Sequence, residues 1–317
     1  MGKYDILSKR YFGSAEIASE LIGVGVFRGK KQIRCESLMP LTVKYPALGT
    51  TSGEYERDAL FWSEEHQLKY GIEVENYNDF GMARRIFVYD ACEYEKSFAE
   101  RKKSHVAQGE LKTFEAKKSG MLTSDAEQPI IDIVLYLGMG HYKGQRNLRE
   151  GFCRIPQEIL PYISDKIQNY GFVLIEADYV NIADFTGELR QFFEAMQARN
   201  NKEKLKTLFL REDFQNLSEE TQQVIAIHLG QKKLIRKVLE EKQSMCKAMR
   251  DIMKESREEG IEQGIEQNLQ INLKNLMQNL SLSLDQAMNV LGVKNEQRER
   301  CRELLATDGV SRSKTDS

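Results

Sequence analysis

Two glutamates lie two positions apart in residues 69–76, which read KYGIEVEN. A β-strand points residues i and i+2 to the same face, so Glu73 and Glu75 would stand side by side if this stretch is a strand. Two adjacent carboxylates repel each other and contribute nothing to an apolar core. The pair is therefore either a solvated sheet edge or part of a cation site.

A third carboxylate, Asp58, belongs to the preceding predicted strand, ERDALFWS at 56–63. A polar turn separates the two strands, which indicates a hairpin and brings Asp58 near Glu73. Mg²⁺ prefers oxygen ligands, commonly one or two carboxylates completed by water and substrate phosphate. A cation held in this way polarises a phosphoryl oxygen and lowers the pKa of a bound water. Asp58 and Glu73 are therefore candidate metal ligands for phosphodiester hydrolysis. Glu20, on a preceding predicted helix, could pack over the sheet edge, and Lys69 is the nearest cation in sequence.

The scaffold for these acids is a predicted α/β domain over residues 1–180. Besides the hairpin, it contains two apolar runs, PIIDIVLYLG at 129–138 and YGFVLIEAD at 170–178. Runs of this kind are typical of buried central strands. A helix over 14–27 precedes the hairpin, and the periodicity after the hairpin predicts a second, long helix.

Beyond residue 183 the apolar periodicity is helical and no strand pattern returns. We therefore predict an all-helical C-terminal region over 185–305, ending in a small helix, and a disordered tail over 306–317. Within this region Gly-Ile-Glu-Gln occurs twice in succession, and Ile261 and Ile265 form a stripe on the predicted helix. Two interpretations of the stripe stay open: an exposed connecting helix, or a segment through which chains form a homo-oligomer.

The composition argues against several kinds of site and location. The chain has 317 residues, of which 30% are charged and 41% apolar, so it is long enough for two globular domains. Five scattered cysteines without CxxC spacing and four isolated histidines argue against a disulfide framework and a zinc site. The N-terminus lacks the apolar core of a signal peptide, and no run approaches the roughly 18 apolar residues of a membrane span. We expect a soluble, cytoplasmic protein with no membrane partner.

An ordered series of short motifs extends along the chain. Arg-Asp at 57–58 precedes Gly-Ile-Glu-Val-Glu at 71–75, and Arg85 and Tyr-Asp-Ala at 89–91 follow on the long helix. Together with the QPIIDIVLYLG strand and the GIEQ-rich tail, this series resembles the PD-(D/E)XK nuclease family transposases, also called Rpn-like recombination-promoting nucleases. The resemblance covers nearly the whole chain.

The resemblance implies a restriction-endonuclease-like fold, in which a mixed central sheet is flanked by helices, followed here by an all-α C-terminal extension. It also implies cleavage of DNA with Mg²⁺ (or Mn²⁺), in recombination, transposition or defence. Carried over by position, Asp58 and Glu73 would bind the metal. They would form the catalytic set together with Glu75, and Glu20 would be a helix acid that steadies or joins the metal site.

Binding of DNA requires positively charged side chains that contact its phosphates. The formal net charge of the chain is −2, so such contacts have to come from local groups. The predicted contact residues are Arg28, Lys30, Lys31, Arg84 and Arg85. The alternative interpretation of each is an ordinary solvated side chain.

Position 75 departs from the family pattern, which has Gln or, in the wider superfamily, Lys two residues after the glutamate. Those side chains orient an attacking water without adding negative charge, whereas an ionised Glu75 donates no hydrogen bond. Glu75 could bind a second cation, raise the pKa of its neighbour by repulsion, or mark a weakened enzyme. We therefore predict a metal-dependent DNA endonuclease. The alternative is a catalytically weakened nuclease-fold protein that binds DNA or regulates.

Overall fold

The computed structural model describes residues 3–46, 54–152, 154–295 and 297–302. The tail predicted to be disordered, 306–317, lies outside these ranges. The chain forms two compact units, one before and one after the boundary between Cys246 and Lys247.

A five-stranded mixed sheet lies in the first unit, accompanied by a separate two-stranded sheet. In chain order the strands are β1 (Leu38–Pro40), β2 (Lys44–Pro46), β3 (Glu54–Glu56), β4 (Ala59–Ser63), β5 (Leu68–Glu75), β6 (Ile130–Tyr136) and β7 (Val173–Glu176). The larger sheet has the spatial order β1-β4-β5-β6-β7. β4 pairs antiparallel with β1 and with β5, whereas β5, β6 and β7 run parallel. β2 and β3 pair antiparallel with each other.

The β4–β5 hairpin and the two apolar strands confirm the sequence predictions. β6 lies in the middle of the parallel part of the sheet and is buried along most of its length. In the parallel register Ile72 pairs with Ile133, and Glu73 pairs with Val134. Because side chains alternate along a strand, these two pairs face opposite sides of the sheet.

Helices cover both sides of the sheet. In the first unit they are α1 (Lys3–Phe12), α2 (Ala15–Gly25), α3 (Met82–Gln108), α4 (Phe114–Ser119), α5 (Leu160–Ile163), α6 (Gly187–Ala198), α7 (Lys202–Leu210), α8 (Glu212–Gln215), α9 (Glu219–Leu229) and α10 (Lys232–Ile235). Short 3₁₀ turns occur at Cys35–Ser37, Leu148–Gly151 and Ile182–Asp184, and a π-helical turn occurs at Arg236–Glu240. α2 lies against β7, where a Cβ on Gly25 would come within 2.9 Å of Ile175 Cδ1. On the other side, Met82 and Ile86 of α3 pack with Val134.

The helical region begins where the sequence predicts, after the last strand ends at Glu176. Its first helices belong to the same compact unit as the sheet. Phe12 of α1 makes an edge-to-face contact with Phe192 of α6, with ring centroids 5.3 Å apart. The second unit begins at Lys247 and forms most of its contacts within itself.

The second unit contains most of α11 (Met245–Leu280) and all of α12 (Leu284–Val290). Its core is a cluster around Leu273 and Met288. The predicted capping box at the start of α12 is present, with Ser283 and Gln286 exchanging hydrogen bonds. Ile261 and Ile265 are exposed on α11, and self-association through them stays a prediction.

The chain is thus mixed α/β with a helical C-terminal part, as predicted. Within the described ranges, no helix is both long and apolar enough to cross a bilayer.

Candidate active site

Alternate residues of β5 form a charged row that faces α3 and is buried. The side chains of Glu73 and Glu75 are only 3% and 7% exposed. At the start of the row, Lys69 Nζ donates to Glu93 Oε1 of α3 at 2.6 Å. This burial excludes the solvated-edge interpretation of the two glutamates. Lys69, the cation nearest to Glu73 in sequence, pairs instead with Glu93, and Arg85 is the cation that contacts Glu73.

A buried arginine holds the middle of the row. The fully buried Arg57 donates from Nη1 to Asp132 Oδ1 and from Nη2 to Asp90 Oδ1, both at 2.7 Å. A Cβ atom at Gly71 would lie 2.1 Å from Arg57 Nη1 and equally close to Asp132 Oδ1. Glycine at position 71 therefore leaves the space in which this ion pair forms. A buried carboxylate needs a paired positive charge, and the Arg57 guanidinium supplies that charge to both Asp132 and Asp90.

Asp58 and Glu73 interlock at the point where β4 begins, as the predicted hairpin requires. The amide of Asp58 donates to Glu73 Oε1 at 3.2 Å, and the amide of Val74 donates to Asp58 Oδ2 at 2.9 Å. Each carboxylate is thus fixed by the backbone of the strand that carries the other. The remaining oxygen of Asp58, Oδ1, contacts Lys9 Nζ of α1 at 2.9 Å.

Arg85, on the first turn of α3, is the counter-ion of the glutamates. Its Nη2 contacts Glu73 Oε2 at 3.4 Å and hydrogen-bonds Glu75 Oε1. Its Nη1 lies 3.0 Å from Asp79 Oδ2. Arg85 is therefore engaged with three carboxylates in this state, although the sequence placed it among the residues that contact DNA.

The carboxylates hold protons unusually tightly. Burial and the neighbouring charge of Asp58 raise the pKa of Glu73 to about 8, although Arg85 and Arg57 act in the opposite direction. Burial also raises the pKa of Glu75, opposed by its hydrogen bond and ion pair with Arg85. The first cause in both cases is burial, which penalises the charged form of a carboxylate. Strongly shifted pKa values of this kind occur often at functional sites.

Asp58 and Glu73 are oxygen donors of the kind that a hard divalent cation prefers. Among the residues that the structure describes, no cluster of three or more His, Cys, Asp or Glu side chains is arranged to hold a metal ion. Mg²⁺, however, usually binds one or two carboxylates and keeps several waters. Asp58 and Glu73 supply such a pair, and the partly exposed edge at Asp58 leaves access for water.

The other predicted residues are placed apart from this pair. Glu20 Oε2 accepts from the amide of Thr186 at 2.8 Å, and no contact among the described residues joins Glu20 to Asp58 or Glu73. Lys31, in the turn after α2, lies 3.5 Å from Glu65 Oε1. The same turn carries Arg28 and Lys30, and Arg84 is exposed on α3.

Sequence reasoning missed Lys9 as a member of the site. Lys9 lies 49 positions before Asp58, on α1, and nothing in the strand pattern indicates that α1 contacts Asp58. A strand pattern shows which residues share a face of the sheet, but it does not show which helix side chain reaches that face. The first signal that could have drawn attention to Lys9 is the basic end of α1, Lys9-Arg10.

Glu73→Gln is expected to remove part of the pH dependence of stability in the metal-free protein. Glu73 has a pKa of about 8 in the folded chain, against an ordinary value of 4.5. Between these values the folded chain retains a proton that the unfolded chain has lost. Wild-type stability should therefore fall, relative to the glutamine variant, by up to about 1.4 kcal/mol per pH unit as the pH rises. Urea unfolding in EDTA across this pH range measures the difference, and parallel curves for the two proteins would refute the raised pKa.

Comparison with models of protein families, with curated proteins and with solved structures finds no match to this chain. The residues of the site and their geometry are therefore the basis for proposing a function.

Proposed function

We propose that this chain is a metal-dependent DNA endonuclease in which Asp58 and Glu73 hold Mg²⁺ or Mn²⁺. The observation that carries the proposal is the interlocked pair of carboxylates, with the pKa of Glu73 raised to about 8 by burial and by Asp58. Two carboxylates that backbone amides hold in fixed positions offer the oxygen ligands that a hard cation prefers.

The fold belongs to the same proposal. Asp58 directly precedes β4 and Glu73 lies on the adjacent strand β5 of a mixed sheet that has helices on both sides, which is the arrangement expected of a restriction-endonuclease-like domain. In this arrangement the start of β4 and the strand β5 position the metal ligands, and α3 covers the charged row that supports them.

A bound metal ion would polarise the scissile phosphate and lower the pKa of a water that attacks it. The residues of this chain fix the ligands and balance their charge. The backbone amides of Asp58 and Val74 hold the two carboxylates in place. Lys9 and Arg85 each contact one of the two metal-binding carboxylates, and in our proposal they turn towards phosphate oxygens when DNA and metal enter. The wider superfamily has a lysine on β5 where this chain has Glu75. In our proposal Lys9, which contacts Asp58, supplies the positive charge instead.

The second candidate is a nuclease-fold protein that binds DNA or regulates without cutting it. The observation in its favour is that Arg85 already satisfies Glu73, Glu75 and Asp79, as in a purely structural ion-pair network. Under this candidate the negative charge at position 75 has replaced a group that oriented water. Glu75→Gln or Glu75→Lys would then create or increase cleavage activity.

The test is a nicking assay on supercoiled plasmid with the full chain. The proposal predicts conversion to nicked or linear DNA with Mg²⁺ or Mn²⁺, and no conversion in EDTA. Absence of cleavage by the wild type with either metal would contradict it. If cleavage then appears only in Glu75→Gln or Glu75→Lys, the second candidate is the correct one.

A further inference from the structure

Three loops follow the carboxyl ends of the parallel strands β5, β6 and β7, at residues 76–81, 137–147 and 177–181. The first of them continues directly from Glu75. Because parallel strands end at the same edge of a sheet, the three loops lie along one edge, beside the candidate active site. The proposed function does not account for the side chains that these loops expose.

Hydrogen bonds fix the three loops to one another. The amide of Lys143 donates to Asn78 Oδ1 at 2.6 Å, and Tyr142 Oη donates to the carbonyl of Asp79 at 2.5 Å. The amide of Gly140 donates to Asp178 Oδ2 at 2.9 Å. These bonds connect the second loop to both of the others, so their exposed side chains are presented from a connected framework.

Aromatic side chains project from this framework into solvent. Tyr77 and Phe80 are 63% and 66% exposed in the first loop, and Tyr179 is 51% exposed in the third. His141 stacks face to face on Tyr179, with ring centroids 3.7 Å apart and planes 10° from parallel. His141 is itself largely exposed, so a flat ring is available for a further stacking partner. We refer to Tyr77, Phe80, His141 and Tyr179 as the stacking platform.

The charge available at this edge is positive. Its acids are engaged: Asp79 pairs with Arg85, Asp178 pairs with Arg199, and Glu176 accepts from the amide of Tyr142. The exposed cations of the same edge are Lys143, Arg146 and Arg84. None of these three takes part in an ion pair with another described residue.

We propose that the stacking platform binds unpaired nucleotides of single-stranded DNA, whose phosphates are contacted by Lys143 and its neighbouring cations. Exposed aromatic rings and exposed cations on the same edge match the two requirements of a single strand, base stacking and phosphate contact. This inference rests on the proposed function, because the platform would present its strand to the site at Asp58 and Glu73. It defines the substrate class as DNA with an unpaired segment.

A duplex fits the platform less well. In a duplex both faces of each base are covered by its stacked neighbours, so aromatic rings cannot reach them. A protein partner would use the rings but would not require the exposed cations of the same edge. The combination of flat rings and cations on one connected edge therefore favours the single strand over both.

Binding of DNA in EDTA tests the inference without requiring cleavage. The probe is a labelled oligodeoxythymidine about 20 nucleotides long, compared by fluorescence anisotropy with a labelled duplex of equal length. The wild type should bind the single strand more tightly than the duplex. Tyr77→Ala and Tyr179→Ala should each weaken single-strand binding by about 5- to 150-fold, because stacking of one base contributes about 1–3 kcal/mol. Tyr179→Phe keeps the ring and should retain binding.

Tyr162→Ala is the matched control, since Tyr162 is 74% exposed but lies on α5, which belongs to none of the three loops. It should leave binding unchanged. Equal or tighter binding to the duplex, no binding to either probe, or an equal effect of Tyr162→Ala would overturn the inference. If the wild type binds the single strand as predicted but does not cleave DNA with Mg²⁺ or Mn²⁺, the result counts against the proposed function and leaves this inference standing.

Discussion

Asp58→Asn is expected to abolish Mg²⁺-dependent DNA cleavage while the fold persists. The asparagine keeps the shape of the side chain and an oxygen that can accept from the amide of Val74. It removes the negative charge that would bind metal and that contacts Lys9. Groups that only support a metal ligand already contribute about 10–100-fold, so loss of a ligand should lower the cleavage rate by more than about 100-fold.

The control for this experiment is Asp165→Asn. Asp165 also pairs with a lysine, Lys166, but its side chain is 72% exposed. The same chemical change at that position should leave cleavage within about twofold of the wild-type rate, since exposed ion pairs contribute little. Cleavage by Asp58→Asn at a rate near that of the control would exclude Asp58 as a metal ligand.

Gly71→Ala is expected to destabilise the first unit strongly. Its methyl group would occupy the position where Arg57 and Asp132 meet, at 2.1 Å from an atom of each. The guanidinium would have to move, leaving the carboxylates of Asp132 and Asp90 buried without their partner. Breaking a buried ion pair in this way costs about 3–5 kcal/mol. Urea unfolding monitored by circular dichroism measures the loss.

Gly109→Ala is the control for Gly71→Ala, because it replaces a glycine without creating a clash with a buried ion pair. Gly109 ends α3 in the left-handed conformation, at φ 66°, and has open space around the position of a Cβ. Its replacement should cost about 1–2 kcal/mol from backbone strain alone. If Gly71→Ala costs no more than Gly109→Ala, the Arg57–Asp132 pair does not stabilise the sheet in the way described.

Local sequence patterns predicted the parts of the fold that depend on the strand itself. The apolar run of β6 and the polar turn before β5 indicated a buried strand and a hairpin. The hairpin was enough to bring Asp58 next to Glu73, because antiparallel pairing fixes which residues oppose each other.

The cations of the site were harder to predict because they arrive through tertiary packing. Lys9 reaches Asp58 from α1, and Arg85 is oriented by where α3 crosses the sheet. Glu20 lies on the predicted helix, but that helix directs its carboxylate to Thr186. Periodicity predicted each helix without showing which of its side chains would meet the strand acids.

The division of the chain into units was also beyond the sequence pattern. The pattern changes from mixed to helical near residue 183, whereas the compact units divide between Cys246 and Lys247. Periodicity reports the type of secondary structure. It does not show tertiary contacts such as that of Phe12 on α1 with Phe192 on α6, which lie within the first unit.

Glu75, which stands where the family has Gln or Lys, is a partner of Arg85. Its carboxylate is buried and hydrogen-bonded to Arg85, which also contacts Glu73. Glu75 therefore holds the guanidinium of Arg85 next to the proposed metal ligands. We expect metal binding to displace Arg85 from Glu73, which frees it to turn towards a phosphate oxygen.

The central claim is that Asp58 and Glu73 bind a divalent cation, and anomalous diffraction from crystals soaked in Mn²⁺ tests it most directly. The account predicts one anomalous peak within about 2.3 Å of a carboxylate oxygen of both residues, with Arg85 moved away from Glu73. Crystals of Asp58→Asn soaked in the same way should lack the peak. A wild-type crystal with no peak there, and with Arg85 still bound to Glu73, would contradict the account.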